Sequence, residues 1–307
     1  MKTQYLCLIA GALTLFVWQK ALLAGAWVQP KRGFYFKLSS NYLLTTKEFN
    51  HEGKRLDIFQ ERIIYEDASF RDFAVTAYLE YGLFENLTIV AKLPFKIQTS
   101  KRTEIIREAL LARIVTVHTE GLSNLSLFGR LALFEKPLVL SVQSGVKIPL
   151  GFETAPANDG PPLDTGDTDF EANLQMGKSL YPLPAYVTAS VGYKYRTGAL
   201  HDQVLFTAEA GYTLGRFLLK INYDGLKSTI APPDIVGQPV TTPLPGGGGA
   251  LPSIIIGDQD IFKISPSIIF QITKSLSIQG EILHIYGGKN TVAGTAYSLG
   301  LILQSTR

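Results

Sequence analysis

Residues 185–198 read AYVTASVGYKYRTG. Val187, Ala189, Val191, Tyr193 and Tyr195 fall on one side of an extended chain, and Thr188, Ser190, Gly192, Lys194 and Arg196 on the other. Side chains alternate across a β-strand, so this stretch is a strand with one apolar and one polar face. The fold turns on which face meets the interior. A water-soluble sandwich buries the apolar face, whereas a membrane barrel turns it to lipid.

The alternation recurs along the chain. Leu87, Ile89, Ala91, Leu93, Phe95 and Ile97 alternate with Thr88, Lys92, Lys96 and Gln98, and Phe217, Leu219, Ile221 and Tyr223 with Lys220, Asn222 and Asp224. The pattern predicts twelve strands, at 33–46, 71–83, 87–99, 122–134, 138–150, 166–180, 185–197, 203–214, 216–228, 258–273, 275–288 and 291–304. Each exceeds the roughly 9–11 residues a tilted strand needs to cross a bilayer. Very short connections (84–86, 135–137, 181–184, the Gly215-Arg216 junction and Lys274) take turns with long ones (47–70, 100–121, 151–165 and 229–257). Segments 198–202 and 288–290 are shorter members of the long set.

An even strand count and alternating loop lengths are the pattern of a closed antiparallel barrel with tight periplasmic turns and long extracellular loops. A sandwich would leave sheet edges, and few edge-blocking devices are present. The apolar face is therefore expected toward lipid and the polar face toward a lumen. With twelve strands both termini fall on the short-turn side.

Composition agrees. Of 307 residues, 46% are hydrophobic and 18% charged, below the roughly 25% charged of soluble chains. No window after residue 30 has the 18 or so consecutive apolar residues of a membrane helix. Residues 1–26 read as a secretory signal: Lys2, the apolar stretch YLCLIAGALTLFVW, then Ala24-Gly25-Ala26 as a small-x-small cleavage pattern, with cleavage expected after Ala26. The rest, 27–307, is expected to be the barrel. The single cysteine, Cys7, lies in the signal, so the mature chain has no disulfide or thiolate metal site. Loss of Lys2 and Lys20 takes the net charge from +3 to +1, which gives nucleic acid no electrostatic footprint.

Three stretches carry a family resemblance: VTAYLEYGLFENLTIVAKLPF, GLSNLSLFGRLALFEKPLVLSVQSGVKIPLGF and TGDTDFEANLQMGKSL, continued by ASVGYKYRTG. Over roughly residues 70–230 the chain resembles a family of outer-membrane β-barrels linked to phenol meta-pathway degradation and described as transporters. The resemblance implies a Gram-negative outer-membrane barrel passing small molecules, hydrophobic or aromatic ones among them. Its motifs are strand-and-turn patterns and bring no catalytic residue with them. The chain departs from many outer-membrane barrels in ending LILQSTR rather than in an aromatic residue.

Strand phase puts Lys37, Asp72, Glu80, Lys92, Lys96, Arg130, Lys147, Asp167, Asp169, Glu171, Lys194, Arg196, Glu209, Lys220, Lys263 and Glu281 on the inward face as pore-lining candidates. Both signs are present and bases outnumber acids. Ion pairs bracing a narrow barrel, or a wet pore with a weak anion preference, both fit. Asp167, Asp169 and Glu171 share a face, with Asp164 upstream; DTGDTDFE lacks the EF-hand spacing, and pairing with lumenal lysines is expected over calcium.

In 101–121, Ile106, Leu110 and Ile114 recur every four residues amid Glu104, Arg107, Glu108 and Arg113. An amphipathic helix acting as a lid or plug, and an extension of two strands above the membrane, both fit. The run PLPGGGGALP at 243–252 lacks the Lys-Ser/Thr ending of a phosphate loop and reads as a flexible outer loop. Phe84, Phe134, Tyr181 and Phe217 beside the short turns fit an interfacial girdle. His51, His118 and His201 fall in or beside outer loops and His284 near the outer end of its strand, none two residues from a serine as a His-x-Ser lipid hydrolase needs.

The expectation is a passive channel with no enzyme activity and no cofactor. Its partners are outer-membrane lipid, the barrel-assembly machinery and a small-molecule substrate. The rival classes are a barrel enzyme acting on lipids and a structural or adhesive barrel with a blocked lumen.

Overall fold

A computed structural model describes residues 25–60, 65–106, 111–233 and 257–305. Every regular element among them is a strand: β1 (Phe34–Thr45), β2 (Lys47–Phe49), β3 (Arg55–Asp57), β4 (Tyr65–Phe84), β5 (Leu87–Ile106), β6 (Leu111–Leu122), β7 (Asn124–Phe134), β8 (Val139–Pro149), β9 (Asp169–Ser179), β10 (Ala185–Arg196), β11 (Gln203–Leu214), β12 (Phe217–Ser228), β13 (Asp260–Gln271), β14 (Leu276–Lys289) and β15 (Thr291–Gln304). Neighbours pair antiparallel around a ring that β1 closes against β15, from Tyr35 opposite Gln304 to Leu43 opposite Ala296. Since β6 and β7 are two halves of one interrupted strand, the ring has twelve staves. Closure leaves the ring itself without an edge, so its backbone polar groups are satisfied within the wall, and an edge remains at β3, beyond the ring.

The apolar face is outside. Leu174, Val187, Val191, Leu219, Ile221, Ile268, Ile278, Ile282, Leu299 and Leu301 are all exposed. A twelve-residue strand rising about 3.3 Å per residue and tilted about 45° covers roughly 28 Å, enough for the apolar band of an outer-membrane barrel. Phe84, Phe134, Tyr181 and Phe217 lie exposed at the short-turn end. A second aromatic group lies toward the other end: Phe206, Tyr223, Phe262 and Tyr286, on four successive strands, have ring centroids 5.9–6.4 Å apart. Because lipid-facing charge at mid-bilayer costs about 2–4 kcal/mol, Leu174→Arg is expected to lower barrel stability by about that amount, measured by urea unfolding in lipid vesicles.

Several sequence expectations change. The segment 100–121 is no simple loop: β5 continues to Ile106 and pairs with β6 from Phe95–Leu122 to Ile106–Leu111. Together with the long β4 it extends the sheet above the ring, so the strand-extension reading holds over the lid helix; residues 107–110 lie outside the described part. The strand placed at 122–134 is β7, and it is separated from β6 at Ser123, whose amide donates to the carbonyl of Pro94. The strand placed at 71–83 begins at Tyr65, and the loop 47–70 contains β2 and β3. Asp167 precedes β9, which starts at Asp169, so the three carboxylates do not share one strand. PLPGGGGALP and most of the expected signal lie outside the described residues.

Candidate functional site

The inward face builds three levels of lumen. At the short-turn end, residues 25–33 run inside the barrel before β1 begins. The Arg32 amide donates to the Gly82 carbonyl at 2.7 Å and the Gln29 amide to Thr88 Oγ1 at 2.7 Å. Two glycines make room. A side chain at Gly82 would collide with the carbonyls of Pro30 and Gln29, and a Cβ at Gly177 would stand 2.8 Å from the Trp27 ring.

Below this segment, Trp27 meets Tyr186 edge-on at 5.7 Å, and both pack with Tyr35, Leu218, Ile269 and Ile302. A membrane barrel usually keeps its apolar side chains outside, so these inward residues form an apolar cluster that narrows the inner end. Beside it, Glu80 and Arg130 form a pair at 3.0 Å with side chains 2% and 4% exposed. Glu80 also accepts from Tyr78 Oη at 2.5 Å and Gln29 Nε2 at 2.7 Å, while Arg130 donates to the Trp27 carbonyl at 3.0 Å and to Gln143 Oε1 at 3.0 Å. The charges of the wall therefore grip the backbone of the inserted segment. Tyr186 Oη donates to Glu209 at 2.6 Å, and Glu209 pairs with Lys220 at 2.7 Å.

The middle level is more open. Lys92 projects inward from β5, exposed to the lumen. Lys194 pairs with Glu171 at 3.2 Å, and Glu281 accepts from Gln279 at 2.9 Å. Lys37 and Lys263 project from β1 and β13, opposite Tyr78 and Asp224 on the neighbouring strands, and Asp72 faces Gln98 across its pairing.

The outer level is built by the β8–β9 connection, which turns inward rather than out. Pro161 and Leu163 are fully buried. Lys96 Nζ donates to the Leu163 carbonyl at 2.8 Å, Lys147 bridges Asp164 at 3.2 Å and Asp169 at 2.6 Å, and Arg102 holds Asp159 at 2.6 Å. Arg196 lies 3.8 Å from Asp169 and 4.0 Å from Asp258, which meets His201 Nδ1 at 2.8 Å. Asp202, in the outer connection 197–202, accepts from Tyr193 Oη at 2.5 Å and from the Arg196 amide at 2.9 Å; these bonds hold its carboxyl below the ordinary carboxylate range.

Of the sixteen candidates read from strand phase, Glu80, Lys96, Arg130, Lys147, Asp169, Glu171, Lys194, Arg196, Glu209, Lys220 and Glu281 are brought into the contacts above, and Asp167 sits at the outer rim against Gly198. Of the carboxylates at 164–171, Asp164 and Asp169 are engaged by Lys147 and Glu171 by Lys194. His284 faces outward, with Nδ1 2.9 Å from Thr295 Oγ1. Trp27, Gln29, Tyr78, Tyr186 and Leu163 were missed: the segments carrying Trp27, Gln29 and Leu163 have no strand periodicity, and the two tyrosines read as ordinary wall residues. Gly82 and Gly177, two small residues on otherwise packed strands, were the available signal.

No family model and no curated protein matches the chain. Among solved structures it is similar to the COG4313 outer membrane channel from Pseudomonas putida F1, with a TM-score of 0.62 and 12% identity, over 94% of this chain and 100% of that one. At this identity the likeness speaks for the fold: the chain is a twelve-stranded barrel of the outer-membrane type. Weaker likenesses are to the NanC porin (TM-score 0.48, 6% identity, 87% of this chain and 98% of that one) and the CymD monoaromatic hydrocarbon channel (TM-score 0.44, 8% identity, 90% of each).

Proposed function

We propose that this chain is an outer-membrane channel through which small molecules, hydrophobic or aromatic ones among them, pass down their own gradients. The observation that carries the reading is a closed barrel with an apolar exterior whose inward face holds solvent-accessible charge at mid-height, between two inserted segments of chain. Solid packing throughout would leave no accessible Lys92. The mid-lumen residues Lys37, Asp72, Lys92, Lys194, Lys263 and Glu281 line the route, and the Glu80–Arg130 and Lys147–Asp164 sets hold its two constrictions. In this reading the signal is removed after Ala26, so the mature chain begins inside the lumen at Trp27, and the barrel-assembly machinery inserts it.

The resemblance to barrels linked to phenol meta-pathway degradation supports an aromatic cargo. Diffusion needs no nucleotide, cofactor or catalytic group, and the reading assigns none. Uptake of radiolabelled toluene by Gram-negative cells whose outer membrane carries the chain is expected to be several-fold faster than in cells lacking it. Equal rates in the two would remove the aromatic cargo.

A further inference from the structure

The lysines at mid-height are unevenly provided with counter-charges. Among the described residues neither Lys92 nor Lys263 forms an ion pair, whereas Lys147, Lys194 and Lys220 each do; Lys263, Lys96 and Lys194 bear on Lys92 as like charges and Glu171 as an opposite one. Glu171 is engaged by Lys194 at 3.2 Å, and the Lys96 ammonium is turned to the Leu163 carbonyl at 2.8 Å. Lys92 and Lys263 stand on nearly opposite walls, β5 and β13, facing the same space. Opposite Lys263, Asp224 accepts from Asn222 Nδ2 at 2.6 Å.

The wall is also irregular at this place. The β13–β14 register slips between Phe262 and Lys263, a bulge of the kind that re-aims a side chain. Next to Lys263 the polar inward face is interrupted. Leu205, Leu226 and Ile261 oppose one another on three successive strands, and Ile285 lies across from Lys263. Phe49 covers Ile285, and Ile261 packs at the edge of the same cluster; Leu205, Leu226 and Ile261 each remain half-buried. Like charges gathered in one chamber repel, and apolar groups facing water gain nothing; a single ligand with an anionic end and an apolar body relieves both.

We propose that Lys92 and Lys263 form a carboxylate-binding station midway through the barrel, with Leu205, Leu226 and Ile261 receiving the apolar body of the bound molecule. The inference rests on the channel reading for its biological sense and names its substrate class: monocarboxylates with an aromatic or short aliphatic body. Two ammoniums converging on one carboxylate make charge-assisted hydrogen bonds, which a neutral analogue of the same shape lacks.

The test is calorimetric titration of the folded, detergent-solubilised chain with benzoate, and with benzyl alcohol as the neutral counterpart. Folding of each variant is checked by heat-modifiable gel mobility. Benzoate is expected to bind, and the double variant Lys92→Gln/Lys263→Gln to bind it roughly tenfold or more weakly. Lys92→Arg/Lys263→Arg keeps most of the affinity, and benzyl alcohol does not distinguish the variants. Absence of benzoate binding to the unaltered chain, or equal binding by the glutamine variant, overturns the proposal.

Arabinose flux into liposomes holding the same folded chain, unaltered and as Gly82→Val, separates the two readings. Benzoate binding that depends on the lysines without flux keeps the station and removes the channel. Flux without benzoate binding removes the station and keeps the channel.

Discussion

Gly82→Val is expected to raise the flux of arabinose-sized solutes through the barrel several-fold in a liposome-swelling assay. A valine Cβ at this position would overlap the Pro30 and Gln29 carbonyls. The wall there is fixed by the pairing of Gly82 with Thr88 on β5 and of Tyr81 with Phe34 on β1, whereas Gln29 and Pro30 belong to no strand, so the inserted segment must yield. Its withdrawal exposes the apolar floor of Tyr186, Leu218, Ile269 and Ile302 and widens the inner constriction. Trp27 reports the same event, since its packing on Tyr186 is lost and its fluorescence should shift to the red as water reaches it. Trp18, the other tryptophan, lies within the expected signal. Unchanged flux together with an unshifted Trp27 spectrum would mean that the segment does not close the barrel.

The second large effect is on stability. Arg130→Met leaves Glu80 inside the wall with Tyr78 and Gln29 as its remaining partners and frees the Trp27 carbonyl. Removing one member of a buried pair costs about 3–5 kcal/mol because the other charge stays buried, whereas replacing both by neutral groups is often nearly neutral. Arg130→Met should therefore lower the unfolding free energy of the barrel, measured by urea titration, by that much, and Glu80→Gln placed on top of it should recover most of the loss. A single variant within about 1 kcal/mol of the unaltered chain would show that the pair only decorates the lumen.

The ring of strands was legible because lipid outside and polar groups inside impose period two on every stave, and Val187 to Tyr195 show it without interruption. The tight turns and their aromatics were legible for the same local reason. The two insertions were not. Residues 25–33 have no period, and their position depends on Arg130, Glu80, Gly82 and Gly177, which lie 50 to 150 residues further along the chain. The connection 151–165 reads only as one of the long loops, and its inward turn depends on Lys96 and Lys147 on other strands, which supply partners for Leu163 and Asp164. In 101–121 the apolar residues suited a helix, and pairing between β5 and β6 decided for strands. Of the candidate site, strand phase supplied the wall residues. Their division into braced pairs and open lysines came only from distances.

Single-channel recording of residues 27–307 in a planar bilayer tests the central reading most directly. Discrete, reproducible and small conductance steps are expected, narrow because of the two insertions, with anions passing somewhat more readily than cations. A verified, folded barrel that inserts into the bilayer and passes no current, either unaltered or as Gly82→Val, would contradict the reading of this protein as a channel.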